Sequence, residues 1–146
     1  MKSEHEEQEL TLTLPWPPSV NEYWKPNGRG GVRVAAAGKQ YQADVAALLT
    51  GARVRGFGGK ARLSVDVALY PPDRRQRDVD NTWKALLDSM EKRKGFAGIY
   101  DNDAQIDATS NLRCAPEKPG RVVVRVAVMT SRRHERGFTL VQGWNL

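Results

Sequence analysis

The sequence predicts an α+β domain in two layers, a mixed sheet of about five strands with two helices on one face. Three observations carry this expectation. Leu10–Leu14 and Leu63–Leu69 alternate large apolar residues with small or polar ones, the period of 2 that marks a strand with one buried face. Two other stretches, 39–50 and 82–94, space their apolar residues as one face of a helix. Finally, 146 residues with 40% hydrophobic and 27% charged side chains suit one ordinary globular domain. A chain of about 150 residues buries roughly 68–70% of its unfolded surface, enough for a core without disulfides.

In chain order, residues 1–9 hold four Glu and one Lys and predict a disordered acidic start. Leu10, Leu12 and Leu14 alternate with Thr11 and Thr13 in a first strand, which Pro15-Trp16-Pro17-Pro18 ends. Ser19 to Gly31 is polar and glycine-containing and reads as a mobile surface loop, followed by a short second strand over Val32–Ala36. Tyr41, Val45, Leu48 and Leu49 then share one helical face, and Gly51 closes that helix. Leu63, Val65, Val67 and Leu69 form the clearest strand, stopped by Pro71-Pro72. A second helix over 82–94 buries Trp83, Leu86, Leu87 and Met90, takes Asp80 or Asn81 as its N-cap and ends at Gly95. Ile106–Cys114 and Arg121–Val128 read as two more strands, and the Pro and Gly of residues 115–120 suit a hairpin between them. The domain thus spans 10–128, and 129–146 is a polar tail.

The net charge is +6, and because the acidic start is negative the remainder carries +9. Such a domain favours polyanions, with nucleic acid first. One cysteine, Cys114, forms no internal disulfide, and with only His5 and His134 there is no set for structural zinc. The first residues are acidic rather than basic and apolar, and no apolar run nears the roughly 18 residues of a membrane span. A cytoplasmic protein with no membrane partner is expected.

Chemistry concentrates where the second helix begins. Asp78, Asp80 and Asn81 precede it, and Asp80, Lys84 and Asp88 follow one another at i, i+4 and i+8, one edge of a helix. A second acidic group, Asp101-Asn102-Asp103, stands directly before a strand. Carboxylates without Cys or His make a hard oxygen site suited to Mg²⁺ or Mn²⁺. Against a phosphodiester, such a site activates water and offsets charge on the phosphoryl oxygens, while Lys84 adds a cation for the transition state. The same residues would equally serve as helix caps and a turn in a non-catalytic nucleic-acid-binding module. Arg74, Arg75 and Arg77 read either as phosphate contacts or as a solvated basic loop. Trp16, Tyr23 and Trp24 would stack on splayed bases, or pack in the core or at a dimer contact.

Leu14-Pro15-Trp16-Pro17-Pro18-Ser19 with Asn21, Pro72-Asp73-Arg74-Arg75 leading into Arg77-Asp78-Val79-Asp80-Asn81 and Lys84, and Asp103-Ala104-Gln105-Ile106 occur in that order over residues 10–128. Together they resemble the RusA family of Holliday junction resolvases. The resemblance implies a homodimeric, Mg²⁺-dependent endonuclease of bacterial or phage origin that cuts four-way DNA junctions by symmetric nicks. It implies that Asp78, Asp80 and Asp103 bind the metal, that Lys84 is the catalytic lysine, and that Arg77 and Asn81 support DNA binding or the site. Asp103 keeps the spacing to Gln105, with Asp101 the alternative ligand. A two-fold dimer suits a nearly two-fold junction, since each protomer then presents one site to a symmetry-related strand. The same metal chemistry would also cut RNA or flapped DNA.

Overall fold

The computed structural model describes residues 9–129. The acidic start, apart from Glu9, and the tail beyond Met129 lie outside the described residues. Glu9 belongs to the first strand, β1 (Glu9–Pro15). It is followed by α1 (Val20–Tyr23), β2 (Trp24–Pro26), β3 (Val32–Val34), α2 (Ala36–Gly51) and β4 (Leu63–Tyr70). The second half holds a 3₁₀ turn (Val79–Thr82), α3 (Trp83–Met90), a 3₁₀ turn (Asp103–Gln105), β5 (Ile106–Arg113) and β6 (Arg121–Val128).

The expected class holds: a mixed sheet with helices packed on it. Four strands in the order β1-β6-β4-β5 make the main sheet, and β2-β3 form a separate small one. Leu10, Leu12 and Leu14 stand opposite Val126, Val124 and Val122, and Val126 and Val124 in turn stand opposite Val65 and Val67. These rows face Tyr41, Val45 and Leu49 of α2 and Leu86 and Met90 of α3 in one core. Alternation thus locates the strands because burying one face decides their register. Leu86 is 1% exposed. Leu86→Ala is therefore expected to cost about 3 kcal/mol, the usual penalty for emptying a packed leucine site. Chemical denaturation at constant slope measures it.

Several expectations are corrected. Residues 115–120 do not form a hairpin, because β5 and β6 lie on opposite sides of β4, β5 parallel to it and β6 antiparallel. β4 is buried along nearly its whole length, so it takes the central place and accepts a neighbour at each edge. Pro and Gly specify a tight reversal but not which strands it joins. The parallel β4–β5 pair requires a long crossover, and residues 71–105, with α3, supply it.

The segment expected as a loop, 19–31, contains a helical turn and half a hairpin. Ser19 caps α1, its Oγ accepting from Glu22 N at 3.4 Å. Leu48 is 48% exposed instead of lying in the helix core face; Gly38, Tyr41, Val45, Ala46 and Leu49 are the buried residues of α2. The second helix stops at Met90 rather than near residue 94. There Ile99 N donates to Met90 O at 2.6 Å and Lys92 N to Tyr100 O at 2.8 Å, pulling the chain into a ladder with the wholly buried Ile99 and Tyr100. Neither Asp80 nor Asn81 caps α3: both sit in the 3₁₀ turn before it, and Thr82 occupies the cap position without a side-chain bond.

Candidate active site

One anchored loop and the end of α3 build the site. The loop before β5 is fixed by Gln105, buried at its base. Gln105 Oε1 accepts from Asp101 N at 2.9 Å and Asn102 N at 3.2 Å, and its Nε2 donates to Gly58 O at 2.8 Å and Ala61 O at 3.0 Å. Asn102 Oδ1 returns a bond from Ala104 N at 2.8 Å, completing a capping box. With all four side-chain hydrogen bonds of the glutamine engaged, the turn carrying Asp103 is held to the segment that enters β4.

On α3, Asp88 accepts two bonds. Lys84 Nζ lies 3.0 Å from its Oδ1, one helical turn away, and Tyr23 Oη donates to its Oδ2 at 2.6 Å. Gln42 Nε2 in turn donates to Tyr23 Oη at 2.7 Å. Lys84 also stands over the Trp24 ring, 5.7 Å from its centre. Burial, then the bond and charge of Asp88, hold the Tyr23 phenol well above its usual range, so it stays a donor. Removing its hydroxyl leaves a carboxylate oxygen and an amide without their partner. Tyr23→Phe is thus expected to cost about 2 kcal/mol, read as a lower melting temperature than wild type.

Asp88, Glu91 and Asp103 converge: one oxygen from each lies within 4.8 Å of the other two. Burial first, then the charges of Asp103 and Asp88, push the Glu91 carboxyl above its usual range. Asp88 and Glu91 also stand at the C-terminal end of α3, where the helix dipole disfavours anions. Three crowded anions at a negative helix end are relieved by a cation, and an all-carboxylate donor set fits a hard divalent ion.

The structure brings together only part of the expected set. Asp103 is in the triple, whereas Asp101 pairs with Lys92 at 3.2 Å, which favours Asp103 of the two alternatives. Asp78 and Asp80 are exposed in and before the 3₁₀ turn, and neither joins a group of three acidic residues among the described residues. The turn breaks the i, i+4, i+8 phase: Lys84 and Asp88 share a face of α3 as expected, while Asp80 precedes the helix. Glu91 was not among the expected residues, and the signal for it was the i, i+3 spacing from Asp88.

Among the expected DNA contacts, Arg74 is exposed and forms no ion pair among the described residues. The Arg75 side chain is 83% exposed with Asp73 3.7 Å away. Arg77, 25% exposed, binds Asp73 at 2.6 Å and covers the half-buried Trp16 ring at 5.9 Å, so it braces the loop. That pairing holds the Asp73 carboxyl down at about 2. Asn81 is half-buried in the 3₁₀ turn. Stacking of Tyr23 on DNA is corrected: the residue is 0% exposed, because its ring is in the core and its hydroxyl is committed to Asp88. Trp24 packs edge-on against it, at 5.0 Å between ring centres.

Comparison with known proteins decides the family. The family model for Endodeoxyribonuclease RusA matches residues 15–127. The chain belongs to the RusA family of endodeoxyribonucleases. It is 34% identical to the crossover junction endodeoxyribonuclease RusA of Escherichia coli strain K12 over 119 residues, 82% of this chain and 94% of that protein. The enzyme of the same name from enterobacteria phage 82 is 34% identical over 118 residues, covering 81% and 93%. That of enterobacteria phage HK97 is 32% identical over 123, covering 84% and 98%. The RusA match takes in β1's end, α3, the anchored loop before β5 and nearly all of β6. No helix among the described residues is long and apolar enough to cross a membrane.

Proposed function

We propose that this chain is a divalent-cation-dependent endodeoxyribonuclease that resolves Holliday junctions by paired, symmetric nicks in DNA recombination and repair. Mg²⁺ is the working cation and Mn²⁺ a substitute. The observation that carries the reading is the meeting of Asp88, Glu91 and Asp103 beside Lys84 in a chain of the RusA family.

Asp88, Glu91 and Asp103 would hold the cation. A divalent ion bound there supplies a more acidic water and positive charge at the phosphoryl oxygens. Lys84 adds a positive charge where negative charge develops, guided by Asp88 and the Trp24 ring. Tyr23 and Gln42 orient Asp88 from beneath. Asp78 and Asp80 enter through the family motif rather than through the triple: they are proposed as further carboxylates at the scissile phosphate. Arg74 and Arg75 are proposed to hold neighbouring phosphates, with Arg77, Asn81 and Trp16 shaping that loop. The working unit is proposed to be a homodimer, one site per symmetry-related strand, in the cytoplasm of a bacterium or of a phage's host.

The test is a synthetic four-way junction incubated with the protein, with and without Mg²⁺. Paired nicks at symmetric positions that appear only with the cation are the expected result. Binding with no nicking under either condition defeats the enzymatic reading in favour of a non-catalytic binding module. Equal cutting of flapped DNA or RNA defeats the junction specificity alone.

A further inference from the structure

Beyond Trp24, the β2–β3 hairpin has no role in the site just described, although it grows out of it. Its first residue, Trp24, lies under Lys84, and Tyr23, immediately before it, binds Asp88. From that base every residue from Lys25 to Arg33 is exposed. A two-stranded hairpin alone in water is marginal, so this one depends on local ties. Asn27 Oδ1 accepts from Arg29 N at 2.8 Å and Gly31 N at 3.1 Å, and Asn27 N donates to Gly31 O at 3.0 Å. Gly28 and Gly30 take left-handed φ values of 79° and 80°, which shape the turn.

The charge on this finger is one-sided. Lys25 and Arg33 are direct cross-strand partners, a like-charge pair that works against the ladder, and Arg29 sits in the turn beyond them. None of the three forms an ion pair among the described residues, whereas Arg75, Arg77, Lys84 and Lys92 each have a carboxylate. Three unpaired cations on a preorganised, exposed finger rooted at the carboxylates call for an anion outside the chain. Strands of three residues reach about 10 Å, about three nucleotide steps at 3.4 Å each along one DNA strand.

We propose that the β2–β3 hairpin is a phosphate-binding finger that follows the DNA strand beside the cleavage site, with Lys25, Arg29 and Arg33 as its contacts. The proposal rests on the DNA-cleaving reading above and adds a surface to it. Phosphate contacts are set by charge and position, so the finger grips junction and duplex DNA alike and holds the strand in register with the carboxylates.

Junction affinity is measured without divalent cation from low to moderate salt for wild type, for Lys25→Gln/Arg29→Gln/Arg33→Gln, and for a control that removes three exposed cations elsewhere, Arg55→Gln/Lys60→Gln/Lys118→Gln. Each phosphate contact contributes about 0.9 to the slope of log affinity against log salt. The hairpin variant is expected to be shallower by about 2 to 3 units and the control to match wild type. Should the triple variant fail to fold, Arg29→Gln, which lies outside the ladder, is read instead, with an expected loss of about 0.9. An unchanged slope in the hairpin variant, or an equal change in the control, overturns the finger. If wild type cuts the junction in either of those cases, the proposed function stands without it. A wild-type protein that neither binds nor cuts junctions overturns both.

Discussion

Asp103→Asn is expected to lower junction cleavage by at least about 10³-fold, about 4 kcal/mol of transition-state stabilisation, while junction binding without divalent cation stays equal or tightens. Asparagine keeps the shape of the side chain and leaves the Gln105 and Asn102 bonds of the loop in place, since none of them uses the Asp103 carboxylate. What it removes is one anion of the triple, and with it a donor for the cation. Removing negative charge next to a phosphodiester does not weaken its approach. Asp88→Asn should behave in the same way, with some loss of stability through its bonds to Tyr23 and Lys84. Single-turnover cleavage together with a cation-free binding curve separates the two effects. Asp101→Asn, which breaks only the pair with Lys92, is expected to stay within a few-fold of wild type.

Gly98→Ala is expected to destabilise the fold by about 3 kcal/mol, at the upper end of overpacking penalties, and to lower the melting temperature by about 10 °C. A Cβ at this position would stand 2.3 Å from Lys92 N and 2.7 Å from Glu91 C, backbone atoms that have no rotamer through which to yield. Relief requires the 97–100 segment to separate from residues 91 and 92. That separation moves Glu91, the carboxylate at the end of α3, so cleavage falls by more than the lost stability alone would predict. Gly51→Ala provides the comparison. Nothing lies within 4 Å of its added methyl, and at a helical position alanine is expected to be neutral or slightly stabilising. A melting temperature for Gly98→Ala equal to that of wild type contradicts the packing described for this ladder.

The main sheet was legible because burial of one face imposes a period of 2, and Leu10, Leu12 and Leu14 or Leu63, Val65 and Val67 carry that period directly. Strand order was not, because it depends on which strand is covered at both edges. β5 is mostly exposed and polar after Ile106 and gives no sign that it pairs in parallel with β4. The helical face of α3 was readable from Trp83, Leu86, Leu87 and Met90, but its end was not. Lys92 and Arg93 are good helix formers, and only the tertiary ladder with Ile99 and Tyr100 draws them out of the helix.

The site divides along the same line. Lys84 and Asp88 were visible as neighbours because i, i+4 spacing within one helix is a local rule. The spacing of Asp103 to Gln105 singled out the carboxylate that lies in the triple, and Gln105 is the anchor of that turn. Tyr23 stayed open between base stacking and core packing because an aromatic residue in a polar, proline-flanked stretch reads either way, and the core is where it lies. Its partner Asp88 is distant in sequence, and no local pattern announces the contact. Glu91 was not singled out, although its i, i+3 spacing from Asp88 is a local signal of the same kind.

Binding of Mn²⁺, followed by electron paramagnetic resonance in the absence of DNA, tests most directly whether the triple is a cation site. Wild type, Asp88→Asn, Asp103→Asn and Asp80→Asn are titrated in parallel. The described geometry predicts that Asp88→Asn and Asp103→Asn each weaken binding by at least about tenfold, a difference of about 1.4 kcal/mol, with Asp80→Asn reporting separately on the motif carboxylates. Wild-type affinity in both Asp88→Asn and Asp103→Asn would contradict it.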